Sequence, residues 1–479
     1  MRSYGGCVSV TQSGQMRWPK AVWALPLTLL AAGAASAEDF RIYTEHPRLF
    51  LRPQRLRLLK REKERQSLRW EQFETLMAGK ARMSEPGFAL ALYFQVTGER
   101  QAGLEAVRWA LGPGQDLRQL ALVFDWCQPV LEAEQSRALA ARLERGLEQT
   151  SGSKDVAGVR ARVLAAAALA GHIPKLPEAA LETTLREWWK GEALPALRSG
   201  RSAIPRDQHY ALFELMHALR DNLEVDLAED ARAYFKQLPL YQLMSYYPAA
   251  YPAAENEYRI PAGGGAQVDL NRAALSRATE LAMLAYEPNT TEYQYLQGWA
   301  MHDRFLLRSA FGITYEFLWA NPYHPGLSYY NLPLALHDEE FGRLFVRSSW
   351  GDDARWAGYS EGRLETFQQG EPRTTPLKPG AKPLPVGDTV VLVGADPLRY
   401  EAVGKVAAVY VVGLKPLGRY DVEVDNEEMR EERADRGGIL ALKFPAGLRG
   451  SVRMREFVGP IEGSAAPPQG GPLVQSAPQ

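Results

Sequence analysis

The sequence predicts a helical N-terminal region followed by a C-terminal region of antiparallel strands. Apolar residues recur every three to four positions from about residue 53 to residue 318, as in amphipathic helices. Beyond residue 341 they alternate with polar residues, as in strands. No strict repeat and no long polar linker interrupts the helical part, so we expect an incomplete α/α toroid, with an α-solenoid as the alternative.

The first 37 residues are predicted to be a signal peptide. Arg17 and Lys20 precede a short apolar run, and small residues then lead to an expected cleavage after Ala37. Met16 is an alternative start, because the residues before it do not resemble a signal sequence. The apolar run is too short for a transmembrane span, so the mature chain is expected in the periplasm or outside the cell.

The chain is nearly neutral, so its net charge does not attract polyanions. The chain has 56 basic and 57 acidic side chains, so neither nucleic acid nor an anionic membrane is an expected partner.

Only Cys127 remains after the predicted cleavage, so no intramolecular disulfide is expected and Cys127 is predicted to be buried. His209 and His217 lack a third residue with ligand spacing, so neither a metal nor another cofactor is predicted. The oligomeric state stays open.

Glycine and proline residues divide the helical region into short helices. Pro53 marks the first turn of the first helix, and Pro86 and Gly98 bound a later one. The remaining predicted helices are Leu120–Cys127, Leu131–Leu147, Val159–Leu169, Leu212–Leu219, Ala231–Leu243, Leu270–Tyr286 and His302–Trp319.

One long connection, from Tyr246 to Gly265, is aromatic and glycine-rich, and is predicted to be a loop over a cleft. The spacing of apolar residues changes within Phe341–Tyr359 from the helical period of three to four residues to the alternation of a strand. These features predict a helical domain over 38–330, a strand domain over 331–460 and a disordered tail over 461–479. The predicted strands beyond the switch are Asp388–Val393, Val406–Val412, Tyr420–Val424 and Ile439–Phe444.

Three short stretches resemble one family of enzymes. They are His46–Leu51, Leu122–Trp126 and Phe345–Gly362, and they occur in the family's order. Together they resemble heparinase II/III-like and alginate-lyase-like polysaccharide lyases. The resemblance implies an N-terminal α/α toroid, a C-terminal antiparallel β-sandwich and a cleft between them. It also implies β-elimination of a uronic-acid-containing polysaccharide in that cleft.

That reaction requires a cation that neutralises the uronate carboxylate, a base for the C5 proton and an acid for the leaving oxygen. Arg206, His209 and Tyr210 are the predicted catalytic residues, because they begin a helix where the family carries a tyrosine. The alternative interpretation is that His209 and Tyr210 only pack in the core. Substrate binding is predicted at Arg160, Trp189, Tyr246, Tyr258 and Arg259.

Two departures from the family pattern leave alternatives open. The family places an asparagine where this chain has Ser151–Arg160, and histidines where it has Glu361–Gly370; both are missing here. Either Arg160 or Arg206 therefore neutralises the carboxylate, or the protein is a catalytically inactive glycan-binding relative. A third possibility is an inverting glycoside hydrolase, which needs two carboxylates from a set containing Asp125, Asp207 and Glu214.

Overall fold

The computed structural model describes residues 42–252, 257–263, 268–302, 307–427 and 429–457. The predicted signal peptide and the predicted tail lie outside these residues, and the domain boundary near residue 330 stays a prediction. Among the described residues, every helix is too short or too polar to cross a lipid bilayer.

Helices dominate the described chain up to residue 319. They are α1 (Pro53–Glu64), α2 (Leu68–Ala78), α3 (Pro86–Thr97), α4 (Arg100–Leu111), α5 (Leu117–Trp126), α6 (Ala133–Thr150), α7 (Val156–Leu169), α8 (Leu176–Thr183), α9 (Leu194–Arg198), α10 (His209–Leu223), α11 (Leu227–Asp230), α12 (Arg232–Met244), α13 (Leu270–Tyr286), α14 (Thr291–His302) and α15 (Ile313–Trp319). A π-helical segment, Thr184–Ala193, joins α8 to α9.

Local sequence signals explain most helix ends. Helix α3 begins at Pro86 and stops at Gly98, which adopts the left-handed conformation (φ 76°) that glycine reaches without steric cost. The Asp269 side chain caps α13 by accepting from the Arg272 N–H. The prediction for His302–Trp319 is wrong over its first part, because α14 ends at His302 and α15 begins only at Ile313.

The connection predicted as a loop contains a β-hairpin instead. Strands β1 (Tyr246–Pro252) and β2 (Glu257–Pro261) pair antiparallel. Pairing satisfies backbone groups that a buried loop would leave without partners. The last glycines of the predicted loop, Gly264 and Gly265, lie outside the described residues.

Strands follow the last helix, which confirms the predicted order of helices and strands. Two of them, Arg343–Arg347 and Trp356–Ser360, pair within the predicted switch region, with the Gly351–Asp353 turn between them. The strands are β3 (Ala335–Asp338), β4 (Arg343–Arg347), β5 (Trp356–Ser360), β6 (Arg363–Gln368), β7 (Glu371–Thr375), β8 (Leu384–Val386), β9 (Thr389–Val393), β10 (Leu398–Glu401), β11 (Val406–Val412), β12 (Arg419–Val424), β13 (Arg430–Arg433), β14 (Leu440–Leu448) and β15 (Ser451–Glu456).

These strands form three sheets with the orders β3-β4-β5-β6-β7, β14-β11-β9-β8 and β10-β15-β12-β13. All pairs are antiparallel except β9 with β11. That pair is parallel because the intervening β10 leaves the sheet and pairs with β15, so the chain returns in its original direction. The prediction of purely antiparallel strands is wrong at this pair.

The sheet containing β9 and β11 is covered on both faces. On β9, Val390 and Leu392 pack toward the sheet that contains β12, whereas Val391 and Val393 pack toward the sheet that contains β4. Two covered faces explain why β9 is a continuous apolar run. The layering therefore differs from the two-sheet sandwich that the family resemblance implies.

Candidate functional site

A deep cavity of about 1020 Å³ lies where the helical region meets strands β4, β5 and β6. We refer to it as the cleft. Its helical wall comes from the segment Gly200–Asp207, from the end of α12 and from the start of α13. Its other wall comes from the strands, including Arg343, Trp356 and Arg363. A volume of this size accommodates a few sugar units or a small ligand.

The cleft is rich in charge of both signs. Arginine outnumbers carboxylate slightly among its described lining residues. Such a lining is suited to a ligand that carries carboxylates, because guanidinium groups bind carboxylates in a planar, two-pronged geometry. The charged lining residues are Arg201, Arg206, Arg272, Arg343, Arg363, Asp207, Asp269, Glu361 and Glu365.

Tyr241 of α12 lies in this charged environment and is half-buried. The guanidinium carbon of Arg343 lies 4.1 Å from the centre of its ring. The Phe345 ring packs against it at a centroid distance of 5.7 Å. Within the described part of the chain, the Tyr241 hydroxyl makes no hydrogen bond, so it is available to a ligand in the cleft.

The side chain of Arg343 is held in place by Asp338. Its Nε donates to Asp338 Oδ2 at 3.2 Å, and its Nη2 contacts the same oxygen at 2.5 Å. Burial acts to lower the pKa of Arg343, but Tyr241 and Asp338 raise the pKa overall, so the side chain stays charged. A fixed cation therefore lies beside the free hydroxyl of Tyr241.

Glu365 is the most constrained carboxylate of the cleft. It accepts hydrogen bonds from the Tyr247 hydroxyl at 2.8 Å, the Gly263 N–H at 2.9 Å and Arg363 Nε at 2.9 Å. Burial acts to raise its pKa, but the bonds from Arg363, Gly263 and Tyr247 lower the pKa overall. Glu365 is thus an ionised group with its oxygens occupied, which favours a positioning role over proton transfer.

Arg206 is the predicted catalytic residue that lines the cleft. Its Nε and Nη2 donate to Ser276 Oγ at 3.1 and 2.8 Å, and its Nη1 donates to the Gln242 carbonyl at 3.0 Å and contacts Ser245 Oγ. The guanidinium carbon also lies 4.3 Å from the ring centre of Tyr246. Because a guanidinium has five N–H donors, these contacts fix Arg206 and leave little hydrogen-bonding capacity for substrate.

His209 is completely buried and does not line the cleft. Its Nε2 bonds to the Ile204 carbonyl at 2.9 Å, and its Nδ1 receives a bond from Gln242 Nε2 at 3.1 Å. Burial, followed by the nearby charge of Arg206, lowers the pKa of His209 to about 3. The imidazole is therefore neutral, and a ligand in the cleft does not touch it.

Tyr210 and Arg160 come together, but in a buried network around Glu214. The Tyr210 hydroxyl donates to Glu214 Oε1 at 2.8 Å, and Arg160 Nη1 donates to Glu214 Oε2 at 2.8 Å. Trp319 Nε1 donates to the Tyr210 hydroxyl at 3.1 Å, and burial, followed by Glu214, raises the pKa of that hydroxyl. The contacts of Tyr210 and Arg160 are those of a structural network, and neither residue lines the cleft.

The other predicted binding residues are also not among the residues that line the cleft. Trp189 Nε1 donates to Asp230 Oδ2 at 2.7 Å, and the Tyr246 hydroxyl donates to Ser276 Oγ at 2.8 Å. Arg259 binds Asp352 at 2.9 Å and stacks on a tryptophan, and Tyr258 is buried on β2. The structure thus packs Tyr246 against Arg206, joins Tyr210 and Arg160 through Glu214, and disperses the other predicted site residues.

Sequence reasoning missed Tyr241 and Arg343. Arg343 is the first residue of β4 and lies in the predicted switch segment Phe341–Tyr359. Tyr241 had no comparable signal, since it is one of several aromatics on a helix that contains an internal proline. Among the described residues, no group of three or more His, Cys, Asp or Glu side chains is arranged to hold a metal ion.

The motifs that carry the family resemblance have structural contacts. Asp125 accepts from the backbone N–H groups of Arg48 at 2.9 Å and Leu49 at 2.8 Å, and Trp126 Nε1 donates to the Leu49 carbonyl at 2.9 Å. His46 Nδ1 also lies 2.5 Å from Asp125 Oδ1. The motifs His46–Leu51 and Leu122–Trp126 therefore bind each other, and these bonds fix the segment before α1 against α5. Both oxygens of Asp125 are occupied, so Asp125 is not available for hydrolysis.

Comparisons with known proteins give little further guidance. No protein-family model and no curated protein matches this chain significantly. A solved structure described as "Glycoside hydrolase" superposes with a TM-score of 0.29 at 8% identity, over 81% of this chain and 72% of that chain. A TM-score this low does not establish a common fold, so it supports no functional argument.

Proposed function

We propose that the protein is an exported polysaccharide lyase-like enzyme that cleaves a uronic-acid-containing polysaccharide by β-elimination in the cleft. The observation that carries this proposal is the free hydroxyl of Tyr241 beside the fixed cation of Arg343 in an arginine-lined cavity. The α/α toroid, a β-sandwich extended by a third sheet and the periplasmic or secreted location belong to the same proposal. They are supported by the family resemblance and by the predicted signal peptide.

The chemistry follows from the positions of these groups. Arg343 neutralises the uronate carboxylate, so that the proton on C5 becomes more acidic. As a phenolate, the Tyr241 oxygen takes that proton while the C4–O bond breaks and a C4=C5 double bond forms. The resulting phenol gives the proton to the leaving glycosidic oxygen, which restores the phenolate, and one product carries an unsaturated uronate at its new end.

Replacing Tyr241 with phenylalanine tests the proposal directly. The ring and its contact with Arg343 remain, while the proton-transfer group is lost, so we expect at least a 100-fold decrease in kcat/KM. The measurement is the ultraviolet absorbance of unsaturated uronates released from alginate, heparan sulfate or polygalacturonate.

Tyr330→Phe is the matched control, because Tyr330 is an exposed tyrosine that does not line the cleft. It should keep wild-type activity. Wild-type activity in the Tyr241→Phe enzyme would exclude Tyr241 from the reaction, and absence of unsaturated product from every polymer would remove the lyase assignment.

Glycoside hydrolysis is a second candidate, supported by the carboxylates of the cleft. Asp207 and Glu361 line it and are exposed, so both are accessible to a substrate. A hydrolase would release reducing ends without unsaturated uronate. A catalytically inactive glycan-binding relative would instead bind the polymer and release neither product.

A further inference from the structure

A second cavity, of about 1060 Å³, lies at the other end of the helical region. Arg220 and Asp221 near the end of α10 line it, as do Ala285 near the end of α13 and Trp319 at the end of α15. The remaining wall is formed by α1 as far as Arg61, by the residues just before it, and by Pro288, Asn321 and His324. We call this cavity the arginine basin.

The basin is separate from the cleft. Arg272 lines the cleft and Ala285 lines the basin, and both belong to α13. Thirteen residues separate them (285 − 272 = 13), which corresponds to about 20 Å along a helix. Likewise, Arg206 precedes α10 at the cleft, whereas Arg220 lies near its far end at the basin.

The lining of the basin is strongly cationic. Five arginines face a single carboxylate, Asp221, among its described lining residues, although the whole chain is nearly neutral. The arginines are Arg52, Arg55, Arg57, Arg61 and Arg220.

Helix ends account for part of this charge. Arg55 Nη1 donates to the Leu318 carbonyl at 3.2 Å, and Arg220 Nη1 donates to the Tyr286 carbonyl at 2.8 Å. Cations at helix C-termini complement both the free carbonyl groups and the helix dipole. Arg55 uses one of its five N–H donors in this way, so most of them remain for another acceptor. Arg220 also binds Asp221 Oδ1 at 3.3 Å and His217 Nδ1 at 3.2 Å, which leaves two of its five donors.

Arg57 and Arg61 are not explained by helix ends. With Gln54 and Leu58 they occupy positions i, i+3, i+4 and i+7 of α1, which is one helical face, and all four line the basin. Within the described residues, neither guanidinium has a carboxylate within 4.0 Å or a hydrogen bond to a carbonyl. Two exposed like charges one turn apart repel each other unless an anion lies between them.

The floor of the basin is aromatic and positions a further cation. The rings of Phe50 and Trp319 pack at 5.2 Å, and the Arg55 guanidinium carbon lies 4.9 Å from the Trp319 ring centre. Burial lowers the pKa of Arg55 to about 10, so the group is still charged at neutral pH but poorly solvated. A bound anion would replace the solvation that this cation lacks.

We propose that the arginine basin is a binding site for a small oligoanion, a molecule with two or more carboxylate, sulfate or phosphate groups. The basin is large enough for a trisaccharide-sized ligand. Arg57 and Arg61 contact the outer anionic group, and Arg55 and Arg220 contact an inner one. The site does not depend on cleavage in the cleft, and its proposal stands if the protein proves inactive on every polymer.

Calorimetric titration with two probes, tripolyphosphate and trigalacturonate, tests the site. The double variant Arg57→Gln/Arg61→Gln should lower the affinity at least 10-fold. The matched control is Lys60→Gln/Arg65→Gln, which removes the same charge from exposed positions of the same helix region that do not line the basin. The control should bind within about twofold of wild type.

The two probes distinguish the sources of the anion. Tight binding of trigalacturonate alone indicates an acidic saccharide, and tight binding of tripolyphosphate alone indicates a phosphorylated small molecule. Equal losses in the two double variants would show general charge attraction and overturn the proposal. The same follows if neither probe gives saturable binding to the wild-type protein.

Discussion

Replacing Glu214 with alanine is expected to destabilise the protein by about 3–5 kcal/mol, the largest single effect that the structure predicts. Glu214 is fully buried and receives two bonds from Arg118, Nε to Oε2 at 2.7 Å and Nη2 to Oε1 at 2.6 Å. Arg160 and the Tyr210 hydroxyl occupy the same carboxylate, each at 2.8 Å. Burial acts to raise the pKa of Glu214, but the two arginines lower the pKa overall.

The protein is destabilised because the alanine leaves the buried charge of Arg118 with fewer ionic partners. Arg118 is almost fully buried, and without Glu214 its charge keeps only Glu85, at 2.9 Å, as an ionic partner among the described residues. An uncompensated buried charge is far more costly than the loss of an exposed ion pair. Urea-induced unfolding followed by circular dichroism gives the free energy of unfolding.

Glu182→Ala is the control for this experiment, because its pair with Arg186 is exposed and spans 3.5 Å. It should change the free energy of unfolding by less than about 1 kcal/mol. If Glu214→Ala costs no more than Glu182→Ala, the buried network does not stabilise the helical region. Glu214→Gln, which keeps the volume and removes the charge, separates the cavity from the electrostatic cost.

Acidification is expected to destabilise the protein through His209. The pKa of His209 is lowered to about 3 in the folded state by burial and by Arg206, whereas an unfolded histidine titrates near 6.5. Between these values the unfolded state binds the proton more readily, so stability is present above about pH 6.5 and is lost as pH falls. The loss is on the order of 1.4 kcal/mol per pH unit for a single group.

His209→Gln should remove much of the pH dependence of the unfolding free energy between about pH 6.5 and 4.5. Glutamine can donate toward Ile204 and accept from Gln242, which are the two bonds of the neutral imidazole. His217 contributes a slope of the same sign, because burial and then Arg220 lower its pKa as well, so some pH dependence will persist. Unfolding free energies measured across this range provide the comparison.

The exposed His302→Gln variant serves as the control and should keep the wild-type slope. An unchanged slope in His209→Gln would show that His209 is accessible to protons in the folded protein. That result would also reopen a role for His209 in the chemistry of the cleft.

Much of the secondary structure was predictable from local sequence. The bounds predicted for α13 and β11 match the structure, because a capping aspartate and an uninterrupted apolar run define them without reference to the rest of the chain. The hairpin of β1 and β2 was not predicted, since strands that pair only with each other carry no strong pattern of alternation. Burial of β9 on both faces was also not predicted, because a continuous apolar run does not reveal which elements cover it.

The candidate site was less predictable. The prediction of His209 and Tyr210 rests on their residue types at a helix start, which do not encode the direction of each side chain. The fold turns both side chains into the core and leaves Tyr241, 31 residues further along (241 − 210 = 31), at the cleft. No local pattern distinguishes these tyrosines, because the difference is one of packing.

The sequence alone determined the order of helices and strands and several helix ends, since periodicity and capping act within a few residues. Only the tertiary structure decided which charged groups meet. Arg206, Arg343 and Tyr241 come from separate elements and share a cleft, whereas Tyr210 and Arg160 meet in a buried network. Such encounters depend on how distant elements pack, which neither residue type nor spacing encodes.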